Sequence, residues 1–97
     1  MIVRWLPRAL DDRRHQVSYI FQRNPQAAVR LETIVRSQTE ILHRHPLAGR
    51  IGRQNGTREL VIPNSSYVII YLIDPKAQQT QILRLLHGAQ QRPPEEE

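Results

Sequence analysis

Tyr67-Val68-Ile69-Ile70-Tyr71-Leu72-Ile73 holds neither charge nor glycine nor proline and is apolar at both parities. A strand with one wet face alternates, so a run apolar on both faces reads as the central strand of a sheet. Turn clusters bound it: Pro63-Asn64-Ser65-Ser66 before it and Asp74-Pro75 after it. Outward lie two more β-prone runs, Thr57 to Ile62 and Thr80 to His87, the latter carrying Ile82, Leu83, Leu85 and Leu86. The C-terminal half is therefore expected to be a three-stranded meander.

Upstream the period changes. Asn24-Pro25 is a capping side chain followed by proline at a first helical position. Ala27, Ala28, Leu31, Ile34, Val35, Gln38, Ile41 and Leu42 then fall on one stripe, and the helix is expected to stop near His43–His45, before Pro46. Arg8 to Arg23 predicts an earlier helix with a thin apolar face of Leu10, Val17, Ile20 and Phe21, interrupted by Arg13, Arg14 and Gln16. Ile2, Val3, Trp5 and Leu6 form a short opening strand that Pro7 ends. Pro46 to Gly56 contains three glycines, reads as a loop and holds Arg50 and Arg53. The order β-α-α-β-β-β predicts a single two-layer α+β domain over residues 1–90, a mostly antiparallel sheet with two helices on one face, followed by an acidic flexible tail at 91–97. The uncovered sheet face is the expected working surface.

Ninety-seven residues suffice for one modest core. The formal charge is +5, and only Lys76 among the 14 basic Lys/Arg residues is a lysine; setting aside Glu95, Glu96 and Glu97 leaves a body at +8. Such a body attracts acidic partners. With no cysteine there is no disulfide framework, thiolate metal site or cysteine nucleophile. No apolar run approaches the roughly 20 residues that span a bilayer, and the opening residues lack the apolar core of a secretory signal, so a cytoplasmic protein without membrane contact is expected. His15, His43 and His45 do not share a helix face and have no acid beside them, which argues against a metal. The loop 49–56 lacks the Gly-Lys-Ser/Thr ending of a nucleotide-binding loop. Neither a cofactor nor a small-molecule ligand is expected.

Four stretches together, Pro46-Leu47-Ala48-Gly49-Arg50, Gly56-Thr57-Arg58-Glu59-Leu60-Val61, Tyr67-Val68-Ile69-Ile70-Tyr71 and Ile82 to Gln90, resemble the RelE/ParE superfamily of bacterial toxins, in the order that fold requires. The resemblance implies the toxin of a type II toxin–antitoxin pair of the plasmid-stabilising kind, neutralised by a cognate acidic antitoxin. It also implies one of two targets. RelE-like members cut messenger RNA on the ribosome, whereas ParE-like members inhibit DNA gyrase. Where interferases carry an arginine after the tyrosine of the third strand this chain has Val68, near their terminal basic residue it has Ala89, and no tyrosine follows Tyr71. The ParE-like branch, a gyrase inhibitor rather than an enzyme, is therefore favoured. The alternative is an endoribonuclease in which His87 moves protons while Arg58 and Arg84 clamp phosphate.

Arg50, Arg53, Arg58, Arg84, His87 and Arg92 are the expected target contacts, gathered on one edge, and should matter to toxicity more than Arg14, Arg23 or Arg36. Strict alternation places Arg84 with Ile82 and Leu86, and His87 with Leu83 and Leu85. The bland alternatives are that His87 merely pins the strand end and that Arg58 pairs with Glu32 or Glu40. Leu10, Val17, Phe21, Leu31 and Val35 are the expected seat of the antitoxin arm. Similar toxins carry apolar residues on the first helix where this chain has Arg13 and Gln16.

Overall fold

The apolar run lies at the centre of a five-stranded sheet. The structure, a computed structural model, describes residues 1–88. In chain order it has β1 (Ile2–Trp5), α1 (Pro7–Arg23), α2 (Pro25–Arg44), β2 (Arg50–Ile51), β3 (Arg58–Val61), β4 (Tyr67–Asp74) and β5 (Gln79–His87). The strands are ordered β1-β5-β4-β3-β2. Every pairing is antiparallel except that of β1 with β5, which is parallel and joins Ile2–Trp5 to Gln79–Ile82. Within the stretch expected to be loop, Arg50 and Ile51 form the two-residue edge strand β2 against Glu59 and Arg58.

The core joins Leu31, Val35 and Leu42 of α2 to Ile62, Ile69, Tyr71, Ile82 and Leu85, with Ala9 of α1 fully buried among them. Asn24 caps α2 as its sequence implies, its side chain accepting from the Ala27 N–H at 3.1 Å. The expected α1 face needs correction: Val17 and Ile20 pack against the core, but Leu10 and Phe21 remain exposed.

The cause is that β1 covers only the first half of the β5 edge. Its last bond runs from the Leu6 N–H to the Ile82 carbonyl. Beyond that point α1 replaces it: the Asp12 carboxylate accepts from the Leu85 N–H at 2.9 Å, and the Gln16 amide donates to the Leu85 carbonyl at 3.4 Å. Polar side chains one helical turn apart thus satisfy backbone groups that a strand would otherwise pair. Arg13 has a similar anchoring task. Its guanidinium lies 4.8 Å from the centroid of the Trp5 ring and donates to both Glu32 oxygens, at 3.1 and 2.6 Å, tying α1 to β1 and α2.

The hydrogen bond from Arg13 holds the Glu32 carboxyl below its ordinary 4.5, outweighing an opposite push from burial, with the charges of Arg13 and Arg36 adding to the lowering. A carboxyl depressed on folding stabilises the protein above its unfolded pKa, and that contribution is lost as pH falls through the folded value. Urea midpoints measured downward from about pH 5 should therefore fall in the wild type, and Arg13→Met should flatten that part of the profile.

Candidate functional site

The two faces of the sheet divide the expected target residues. Register places Arg50, Glu59, Ile70 and Arg84 in one row on the face away from the helices, and Ile51, Arg58, Tyr71, Ile82 and Trp5 in a row on the helix face. The strict alternation expected along β5 is broken. Tyr71 pairs with Ile82 while Ile70 pairs with Arg84, so Leu83 is the extra residue of a β-bulge. Arg84 therefore shares its face with Leu86 but not with Ile82, and Ile82 and Leu85 both enter the core.

Near β3 the cations are anchored internally. Glu59 is only 6% exposed, and its carboxylate accepts from Arg50 at 3.0 and 3.2 Å and from the Arg53 N–H at 3.2 Å. Arg58 pairs with neither Glu32 nor Glu40 but donates to the Gly49 carbonyl at 2.7 Å. Beneath it the Tyr71 hydroxyl donates to the Pro46 carbonyl at 2.7 Å and accepts from the Gly49 N–H at 2.8 Å. Gly49 is required here, because a Cβ would stand 2.8 Å from both the Glu59 carbonyl oxygen and the Tyr71 ring. Burial pushes the Tyr71 hydroxyl above its ordinary pKa, against smaller lowering by the Gly49 N–H and Arg58.

At the other end of the sheet, Arg84 donates to both oxygens of Asp12, at 2.7 and 3.1 Å, which raises the pKa of an already permanent cation. His87 is exposed and meets its cross-strand neighbour Tyr67 edge to face, with ring centroids 5.3 Å apart and planes at 87°. Burial holds the Tyr67 hydroxyl above its ordinary pKa, and nearby Tyr19 adds to the shift. Tyr19 is itself 59% exposed and has the Arg23 guanidinium over its ring at 4.1 Å. The Tyr19–Arg23 pair was not singled out in the sequence, although its i,i+4 aromatic–cation spacing on a helix is visible there.

The expected single edge of arginines is thus two clusters. Arg50, Arg53 and Arg58 gather at the β2–β3 side, while Arg84 and His87 lie on β5 beyond β4, about 10 Å from β3 at ordinary strand spacing. Arg92, Ala89, the tail at 91–97 and the domain limit at 90 lie outside the described residues. Of the expected antitoxin contacts, Leu31 and Val35 belong to the core, so a partner cannot reach them; Leu10, Val17 and Phe21 remain, the last two lining an open groove with Arg14, Ser18 and Glu32. Among the described residues no three His, Asp or Glu side chains gather as a metal site, and no helix is long and apolar enough to cross a membrane.

Comparison with known proteins places this geometry in context. The profile of the family described as "ParE toxin of type II toxin-antitoxin system, parDE" matches residues 3–92. A curated Sinorhizobium fredii protein, Y4kP, whose own description as a toxin is provisional, is 35% identical over 91 residues, covering 94% of this chain and 92% of its own. Among solved structures, a chain of the chromosomal ParDE toxin–antitoxin system from P. aeruginosa superposes with a TM-score of 0.80 at 20% identity, covering 90% of this chain and 95% of that one. A chain of the RelBE2 toxin–antitoxin complex from Mycobacterium tuberculosis gives a TM-score of 0.62 at 26% identity, covering 89% and 88%.

Proposed function

This chain belongs to the ParE toxin family of type II toxin–antitoxin systems, and we propose that it arrests bacterial growth from the cytoplasm by inhibiting DNA gyrase until a cognate acidic antitoxin neutralises it. One observation carries the choice of inhibitor over nuclease. The two arginines that an RNA-cleaving site would draw on are already bound, Arg84 to Asp12 and Arg58 to the Gly49 carbonyl, on opposite faces of the sheet. Transition-state stabilisation of a cleaving phosphate needs cations aimed at one point, and two cations on opposite faces cannot converge. Val68, at the position where interferases carry an arginine, is 1% exposed. An inhibitor, by contrast, needs only a complementary surface. The antitoxin partner is supported by the ParDE and RelBE2 neighbours, both toxin–antitoxin systems. Leu10, Val17 and Phe21 supply the apolar contact for its arm, and the positive body speeds its association. A role in plasmid stabilisation follows if the gene pair is plasmid-borne.

Induction of the chain alone should arrest growth, and co-expression of the small acidic protein encoded beside it should relieve the arrest. Purified protein should then inhibit gyrase supercoiling, while primer extension on transcripts from induced cells finds no new cuts. Codon-phased cleavage with supercoiling intact would replace this proposal with the interferase, for which exposed His87 is the best candidate proton carrier.

A further inference from the structure

We propose that the free sheet edge at β2 binds an extended acidic segment of the target protein as an added strand; this rests on the proposed inhibitor role and names the surface that performs it. β2 ends the strand order, and among the described residues no strand lies beyond it. The Gly52 N–H donates to the Thr57 carbonyl at 2.8 Å, and bonded pairs alternate along an antiparallel ladder. Arg50 with Glu59 is therefore the next bonded pair, while Ile51, opposite Arg58, turns its N–H and carbonyl outward. Two such groups are the template to which another strand adds.

The side chains around the edge select the occupant. Ile51 is 78% exposed, and Leu47, four residues upstream, is 67% exposed. An edge left to water is ordinarily guarded by an outward charge. Here Arg50 is drawn back to Glu59 on the face away from the helices, which leaves the isoleucine foremost. On the helix face, Arg58 reaches from β3 to the Gly49 carbonyl at 2.7 Å, which sets its guanidinium beside β2. Among the described residues that charge is met by a carbonyl and not by a carboxylate. An added strand therefore meets Ile51 and the Arg58 cation on one face and the half-exposed Arg50 on the other. An apolar side chain flanked by carboxylates is the complement. A second copy of this chain fits badly, because paired β2 edges would set Arg50 and Arg58 against themselves. A nucleic-acid strand would stack on open rings, and Leu47, Arg50, Ile51 and Arg58 supply none. The expected antitoxin contacts Leu10, Val17 and Phe21 are on α1, which is anchored along β5, with β4 and β3 between it and this edge.

The test uses the full chain, with growth arrest and gyrase supercoiling as readouts of target binding and calorimetry with the antitoxin as the control. Ile51→Pro removes the outward N–H but none of the bonds to β3, and proline is tolerated at such an edge position. It should keep the wild-type melting temperature and antitoxin affinity, while half-inhibition needs at least about tenfold more protein. Ile51→Glu and Ile51→Lys leave the backbone intact, and the glutamate should lose more potency than the lysine. Val29→Glu, the same charge change at an exposed position of α2, should leave potency unchanged. Undiminished potency of a folded Ile51→Pro would overturn the inference, as would an equal loss of antitoxin affinity. If the proline variant melts early, equal potency of the glutamate and lysine variants overturns it instead. Binding of a single-stranded oligonucleotide that Ile51→Glu abolishes would also overturn it, as would a dimer that Ile51→Pro dissolves. Should wild-type protein arrest growth yet leave gyrase untouched, the gyrase proposal falls, and the same variants in the growth assay still decide the edge.

Discussion

Replacing Asp12 by alanine is expected to destabilise the fold by about 2–4 kcal/mol and to abolish growth arrest. Three donors converge on this one carboxylate, Arg84 Nε, Arg84 Nη2 and the Leu85 N–H, and its side chain is only 14% exposed. The substitution leaves a partly buried guanidinium without its counter-ion and a backbone N–H without an acceptor, and each of these is costly. For a domain of this size the melting temperature should fall by roughly 10–20 °C. Asp12→Asn is the informative companion. It keeps an acceptor for Leu85 but no charge for Arg84, so it should lie between wild type and alanine. If Asp12→Ala and Arg84→Ala together cost no less than the sum of the two singles, the pair is not coupled and α1 is held by packing alone.

Tyr71→Phe should destabilise by about 1–3 kcal/mol, a large effect for a single oxygen atom. The ring is fully buried, and its hydroxyl is both a donor to the Pro46 carbonyl and the acceptor for the Gly49 N–H. Phenylalanine fills the same space and leaves both backbone groups unpaired. Because Gly49 in turn receives Arg58, the loss should reach the β2–β3 loop, and amide exchange at Gly49 and Arg50 should accelerate more than in α2. Tyr71 and Tyr67 both have raised pKa values in the fold. An acid whose folded pKa is raised contributes stability that is intact below the unfolded value of 10.0 and is lost as pH climbs through the folded one. Denaturation midpoints should accordingly drop above pH 10, and less steeply in Tyr71→Phe.

Helix α2 was legible in the sequence because its apolar stripe keeps one helical period, and the central strand because an unbroken apolar run bounded by turn residues suits a strand covered on both faces. The bulge was not. Ile82-Leu83-Arg84-Leu85-Leu86 is apolar at both parities, so no alternation betrays the extra residue, and the register is set by β4. The face of α1 was misjudged for a related reason. Sequence patterns assume that a helix lies on a sheet's face, whereas this one also serves a strand's edge, where Asp12, Arg13 and Gln16 are the structural residues and Leu10 and Phe21 are surplus. Among the site residues, the opposite facing of Arg58 and Glu59 followed directly from strand geometry. Their partners did not, since Gly49 and Arg50 approach only through a loop whose path depends on Tyr71.

The parallel pairing of β1 with β5 also fixes when the molecule can come into being. Residues 2–5 must wait for residues 79–82, and Asp12 waits for partners 72 and 73 positions further along. Loops of that length close late, and such non-local pairing slows folding relative to a helical bundle of equal size. On the ribosome, the helical hairpin emerges first with nothing to anchor it, and the cluster around His87 exists only once the final described strand is laid down. An interrupted translation product therefore carries the chain's first helices but neither its closed sheet nor the bridge from Asp12 to Arg84 that holds the first of them in place.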